Sequence, residues 1–188
     1  PMMSRVYDKR VGYFSLGNVD YNSEALKADS KRYIKRWRLE PTDKEAYNRG
    51  ELVEPKKPII YYLDPATPKK LRKYIKQGVD DWQKVFETAG FKNAIMAKMS
   101  PTNEEDPEFS MEDVRYSSIR YVASTTRTAV GPSVSDPRSE EILESDIIWY
   151  HNPLRSYRNR YLLETGAAHP SARTLNTPDK EIGDMMRM

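Results

Sequence analysis

Residues 59–90 read IIYYLDPATPKKLRKYIKQGVDDWQKVFETAG, and this stretch decides the fold class. Its first five residues are apolar and favour strands, which predicts a central strand that is covered on both faces. A helix is predicted next, with Thr67 as N-cap, Pro68 at its first position and Gly90 just beyond its C-cap. Large apolar residues recur along it at three- and four-residue steps: Leu71, Tyr74, Ile75, Val79, Trp82, Val85, Phe86 and Ala89. This stripe predicts a helix that faces the core, because burial of these side chains explains the pattern fully.

Further elements are predicted on both sides of this stretch. Strands are predicted at 10–15 and 33–39 before it, strands at 93–99, 116–122, 129–135 and 142–150 after it, and helices at 154–164 and 178–188. Gly131-Pro132 predicts a bulge or a sheet edge, since proline cannot donate a hydrogen bond to a ladder. The connection between the first and second central strands is long enough for a parallel pair. This order predicts an α/β (α+β) fold, in which a long helix packs on one face of a twisted mixed sheet.

Length and composition limit the classes of protein to which this chain can belong. The chain has 188 residues, which predicts one domain or one domain with an extension at roughly 150 residues per domain. It contains no cysteine, so disulfides, thiol nucleophiles and cysteine zinc sites are excluded. No stretch approaches the ~20 apolar residues of a membrane helix, and no membrane span is predicted. Residues 31–38 interleave basic and aromatic side chains, but the net charge is only +3 and no nucleic-acid-binding motif is present, so no nucleic-acid partner is predicted.

The residues that carry chemistry are sparse. The two histidines, His151 after a predicted strand and His169 in a predicted loop, are eighteen positions apart. A helical zinc site would need two histidines at i and i+4. Acidic pairs such as Glu140-Glu141 are adjacent in sequence, and their side chains therefore point in different directions. The residues taken alone predict no catalytic residue and no metal ligand in this chain.

Seven segments taken in order resemble a known family. They are 33–39 (YIKRWRL), 58–64 (PIIYYLD), 78–82 (GVDDW), 86–91 (FETAGF), 115–121 (RYSSIRY), 129–138 (AVGPSVSDPR) and 146–150 (DIIWY). Together they resemble large bacterial zinc-dependent metallopeptidases of the metzincin type. The resemblance implies a zincin-like fold, with residues 1–57 as a preceding segment and 58–188 as the first part of a catalytic domain. It also implies zinc in the full-length parent, held by a His-Glu-x-x-His helix just beyond Met188, and no zinc in this fragment.

The resemblance assigns a substrate role to one sheet edge. In zincin-like peptidases the antiparallel edge strand of the sheet binds an extended peptide, which can pair with unpaired N–H and C=O groups. By order along the chain, this role falls on Ala129, Val130, Gly131, Pro132, Ser133 and Val134. The family usually has Thr-Gly where this chain has Ser139-Glu140. If that position needs a positive φ, Glu140 is strained by about 1 kcal/mol or more.

The expected partners and location follow from the same resemblance. A peptide or protein is the expected substrate, and the parent is expected in the periplasm, at the cell surface or outside the cell. The fragment alone is expected to be inactive. Ile182, Met185 and Met186 would share one face of the final helix and could join two copies of the chain. The alternative function is a non-catalytic peptide- or protein-binding module that keeps a peptidase-like fold.

Overall fold

A computed structural model describes residues 2–21, 24, 27–173 and 180. In chain order the elements are β1 (Ser15–Asp20), β2 (Asp29–Ile34), α1 (Lys44–Asn48), β3 (Ile59–Leu63), α2 (Lys69–Asp81), α3 (Gln83–Thr88), β4 (Ile95–Met99), β5 (Ser117–Val122), β6 (Ala129–Val130), β7 (Ser133–Ser135), β8 (Ile142–Ser145), β9 (Ile147–Tyr150), α4 (Pro153–Thr165) and a 3₁₀ turn at Pro170–Arg173. The predicted helix at 154–164 is confirmed as α4. The predicted final helix at 178–188, with its apolar face, lies outside the described residues except for Lys180.

The chain forms two units. The smaller unit comprises residues 1–38 and 133–145, and the larger unit comprises residues 39–132 and 146–188. The chain therefore leaves the larger unit after Pro132 and returns to it at Asp146. Residues 39–57, which lie within the predicted preceding segment, belong to the larger unit.

A five-stranded mixed sheet with the order β4-β3-β5-β9-β6 lies in the larger unit. β3 is parallel to β4 on one side and to β5 on the other, and β9 is parallel to β5. β6 is antiparallel to β9 and forms one edge of the sheet. β3 lies between β4 and β5, so the predicted central strand is confirmed. Ile59, Tyr61 and Leu63 on one of its faces are buried, whereas the two residues on the other face are half-buried. The predicted fold class is confirmed as a mixed α/β fold with a mixed sheet.

The long predicted helix is two helices. α2 contacts β4 and buries Leu71, Ile75 and Val79. At Trp82 the backbone N–H bonds to the carbonyl of Val79, three residues back, and α3 then begins at Gln83. The prediction of one continuous helix over 68–89 is wrong, because the hydrogen-bond pattern tightens at this point.

The start of α2 also differs from the prediction. The residue before its first turn is Pro68, which has an extended backbone and makes no side-chain cap. Thr67 is buried instead of capping the helix, and its hydroxyl has no hydrogen-bond partner. The end of α3 agrees with the prediction, since Gly90 follows the C-cap with a φ of 90°. Positive φ at this position is the reason that glycine stands there.

Two antiparallel strand pairs, β1 with β2 and β7 with β8, belong to the smaller unit. The predicted strand at 10–15 is wrong, because β1 begins at Ser15 and continues through Gly17 and Asn18. These two residues pair with Arg32 and Lys31 of β2, so pairing outweighs their preference for turns. The predicted strand at 33–39 is also displaced, since β2 ends at Ile34.

Two other predicted strands are each divided. Residues 129–135 form β6 in the five-stranded sheet and β7 in a two-stranded sheet. Residues 142–150 form β8, which pairs with β7, and β9, which pairs with β5 and β6. The chain changes sheet at Gly131-Pro132 on the way out and at Asp146 on the way back. Proline cannot donate to a ladder, which is one reason why β6 stops where it does.

Candidate functional site

The candidate site is the outer edge of β6, which pairs with β9 and with no other strand among the residues that the structure describes. Ala129 pairs with Trp149 of β9 and Val130 pairs with Ile148, and both β6 residues are exposed. Gly131 and Pro132 follow in the larger unit and are also exposed. These four predicted site residues are therefore continuous at one end of the five-stranded sheet. Unpaired backbone groups along such an edge can pair with an added strand.

The last two predicted site residues lie elsewhere. Ser133 and Val134 belong to β7 in the smaller unit, where they pair with Ser145 and Glu144. The structure thus divides the six predicted residues between two sheets. One physical cause is the proline at the junction, which has no N–H to donate to a ladder.

Asp146 holds the end of β6. Its backbone N–H donates to the carbonyl of Pro132 at 3.0 Å. Its carbonyl oxygen lies 3.7 Å from where a Cβ on Gly131 would stand. Its carboxylate oxygen Oδ1 accepts from the N–H of Ser118 at 2.8 Å and from the Ser118 hydroxyl at 2.7 Å. The sequence analysis did not single out Asp146, because its partner Ser118 is 28 positions away in the chain.

The beginning of β6 is reached through a loop that is tied to the start of α4. The side-chain amide of Asn152 donates to the carbonyl of Thr125 at 2.8 Å. The N–H of His151 donates to the carbonyl of Val122 at 3.0 Å. The hydroxyl of Tyr121 lies 2.5 Å from Nδ1 of His151, and burial raises the pKa of Tyr121. The chain segments before and after β6 are therefore both bonded to the region around β9.

Zinc ligands are not found among the residues that the structure describes, where no group of three His, Asp or Glu side chains could hold a metal ion. His151 is engaged by Tyr121, and Nδ1 of His169 lies 3.4 Å from the hydroxyl of Tyr161. The described residues therefore do not fit a zinc site. The proposed location of such ligands beyond Met188 stays a prediction.

The basic stretch at 31–38 is engaged within the smaller unit. Lys31 lies 2.8 Å from the carboxylate of Asp20, and Arg32 donates to the hydroxyl of Ser15 at 2.7 Å. Arg36 donates to the carbonyl of Met3 at 2.7 Å, and burial lowers its pKa. These contacts give the cations structural partners. The absence of a nucleic-acid partner stays a prediction.

The turn from Asp136 to Glu140 carries the departure from the family pattern. Glu140 adopts a φ of 55°, in the left-handed region, and is only 2% exposed. Its N–H donates to the carbonyl of Asp136 at 2.7 Å, but Oε2 of its carboxylate has no partner. The predicted strain required a positive φ at residue 140. Glu140 has such a φ, and it is a residue other than glycine.

Asp136 in the same turn gives a testable pH dependence. Side-chain hydrogen bonds from Arg138, followed by its backbone N–H, lower the pKa of Asp136 to about 2. A lowered pKa contributes stability that is present above the ordinary value of 3.8 and is lost as the pH falls towards 2. We expect a carboxyl NMR titration of Asp136 with a midpoint near 2, and a return towards 3.8 in Arg138→Met. An ordinary midpoint in the unsubstituted chain would contradict this pairing.

Comparison with known proteins gives one match. Residues 1–42 match the model of a family described as "Domain of unknown function (DUF5117)", which covers less than a quarter of the chain. No curated protein and no solved structure matches the chain. Within the described part of the chain, no helix has the length and apolar character needed to cross a bilayer.

Proposed function

We propose that the larger unit is the sheet-bearing part of a zincin-like metallopeptidase domain, and that the β6 edge binds an extended peptide substrate. The observation that carries the proposal is the position of β6. It is the antiparallel edge strand of a sheet whose other four strands are parallel, and Ala129 and Val130 are exposed on it. The resemblance assigns peptide binding to an edge strand of this kind.

Two further features support the proposal. The helix α2 packs against β4 through an apolar face, which agrees with the predicted fold of a helix on one face of a sheet. The segments that carry the resemblance also include β3, β5 and β9, which are three of the strands in this sheet. The proposed enzyme obtains zinc and its catalytic base from sequence beyond Met188, and this chain supplies the scaffold and the peptide-binding edge.

The length of β6 limits the strength of peptide binding. In an antiparallel ladder, alternate residues direct their N–H and C=O groups to opposite sides, so one residue of a two-residue strand faces outward. Each net hydrogen bond contributes about 0.5–1.5 kcal/mol. Pairing at β6 alone therefore gives weak binding, and side-chain contacts must add to it in the full domain.

Backbone pairing can be tested with two matched peptide sets. We expect extended peptides to shift the amide signals of Ala129 to Gly131 in NMR titrations and to protect the outward-facing amides among them from hydrogen exchange. Peptides of the same sequences with methylated backbone nitrogens keep their side chains but cannot pair, and their affinity should fall about tenfold or more. Equal binding of both sets, or shifts elsewhere only, would overturn the edge assignment.

A second measurement separates the peptidase from the binding module. We expect a chain extended beyond Met188 to hold one zinc ion and to cleave peptides in a chelator-sensitive way. A chain that binds peptides at β6 but neither holds zinc nor cleaves them would be the non-catalytic module instead. A chain that does none of these would contradict both functions.

A further inference from the structure

We propose that Asp146 is the positioning residue of the peptide-binding edge, and this inference rests on the proposed function. Asp146 connects three places in the larger unit: β5 through Ser118, the end of β6 through Pro132, and β9, which begins at the next residue. It touches the backbone that flanks the edge and not the edge's free groups. It therefore acts on substrate binding through Pro132 and β6.

The contact with Ser118 fixes Asp146 against β5. Ser118 is 0% exposed, so its N–H and hydroxyl have no water to replace a lost partner. Both donate to the same carboxylate oxygen, at 2.8 and 2.7 Å. Removal of the carboxylate would leave two buried donors unpaired.

The hydrogen bond from Asp146 to Pro132 fixes the position of β6 relative to Asp146. A strand of two residues, with only two paired positions, cannot set its own position. Its distal end is held where the Asp146 N–H donates to the Pro132 carbonyl at 3.0 Å. Pro132 and Asp146 are also the points where the chain leaves the larger unit and returns to it. Displacement of Asp146 would therefore move the edge that the peptide has to meet.

Conservative and disruptive variants separate positioning from stability. Asp146→Asn keeps an Oδ1 acceptor for both Ser118 donors, whereas Asp146→Ala removes it. Ile119→Val serves as a stability control, because Ile119 is buried on β5 beside Ser118, pairs with Ile147 and has no bond to Pro132. If Asp146→Ala unfolds the chain, Ser118→Ala takes its place, since it removes one of the two donors and keeps the other.

The test uses the full chain and two readouts. Hydrogen exchange at those amides of residues 129–131 that face β9 reports on the position of the edge strand, and titration with the unmethylated extended peptides reports on binding. We expect Asp146→Ala to lower both the protection of these amides and the peptide affinity at least tenfold. Asp146→Asn should stay within threefold of the unsubstituted chain, and Ile119→Val should leave both readouts unchanged once its lower stability is accounted for.

The outcomes distinguish this inference from the proposed function. If the edge amides in Asp146→Ala exchange no faster than in Ile119→Val, the positioning role of Asp146 is overturned. The proposal that β6 binds peptides is not contradicted by that result. If the edge loses its protection but the unsubstituted chain binds no peptide, Asp146 positions β6 and the proposed function fails. If Asp146→Asn loses as much amide protection and peptide affinity as Asp146→Ala, the hydrogen bonds that Ser118 donates do not explain the effect, and the inference is overturned.

Discussion

Glu140→Gly is expected to raise the free energy of unfolding of the smaller unit by about 2 kcal/mol. The left-handed backbone at Glu140, with a φ of 55°, costs a residue with a side chain about 1–2 kcal/mol. Its buried carboxylate has an oxygen without a partner, which costs about 1–3 kcal/mol more. Glycine removes both costs. It also lowers the free energy of unfolding by about 0.5–1 kcal/mol, because it increases the entropy of the unfolded chain. The change can be measured by urea unfolding, with hydrogen exchange of β7 and β8 as the local probe.

Two further substitutions of Glu140 separate the cost of the strained backbone from the cost of the buried carboxylate. Asn tolerates positive φ better than Glu and carries no charge, so Glu140→Asn should give part of the gain. Glu140→Gln removes the charge but keeps the strained backbone, and its gain should be smaller than that of glycine. A loss of stability in Glu140→Gly would mean that the carboxylate makes a favourable interaction that outweighs the strain.

Gly90→Ala is expected to lower the free energy of unfolding of the larger unit by about 3 kcal/mol. Gly90 has a φ of 90°, and an added Cβ would stand 2.7 Å from Cε2 of Tyr47. Tyr47 cannot move without cost, because its hydroxyl donates to the carbonyl of Ala89 at 3.1 Å. Its ring also lies 5.1 Å from that of Phe91, in the buried cluster around Phe91. Backbone strain and disturbed packing each cost about 1–3 kcal/mol.

Two other glycines provide graded controls. Gly50 has a φ of 84° but nothing within 4 Å of an added Cβ, so Gly50→Ala should show the backbone strain alone, about 1 kcal/mol. Gly12 has neither a positive φ nor a close neighbour, and Gly12→Ala should leave stability nearly unchanged. Equal losses in Gly50→Ala and Gly90→Ala, measured by urea unfolding, would show that the approach of Tyr47 carries no cost.

The pattern of the sequence predicts elements that form from local residues. The apolar run at 59–63 is β3, and the first half of the stripe after it is buried on α2. The prediction that the whole stripe faces the core is wrong, because Trp82 and Val85 are more than half exposed. Gly90 ends its helix as predicted because a positive φ is a local requirement that glycine meets. The division of that helix at Trp82 was not predictable, since the apolar stripe continues across it without a break.

The candidate site was predicted only in part. Ala129 and Val130 do lie at a sheet edge, but Ser133 and Val134 lie in another sheet. Periodicity reports which residues alternate and does not report which strand they pair with. Asp146 escaped prediction because its partner, Ser118, is 28 positions away.

The sequence by itself determined the central strand, the apolar face of α2 and the glycine that ends α3, because each depends on neighbours within a few residues. Only the tertiary structure decided that β6 is the antiparallel edge, that Asp146 joins it to β5, and that Glu140 is buried in a strained turn. These features depend on pairing and burial between segments far apart in the chain. No local pattern of residue types records such pairing.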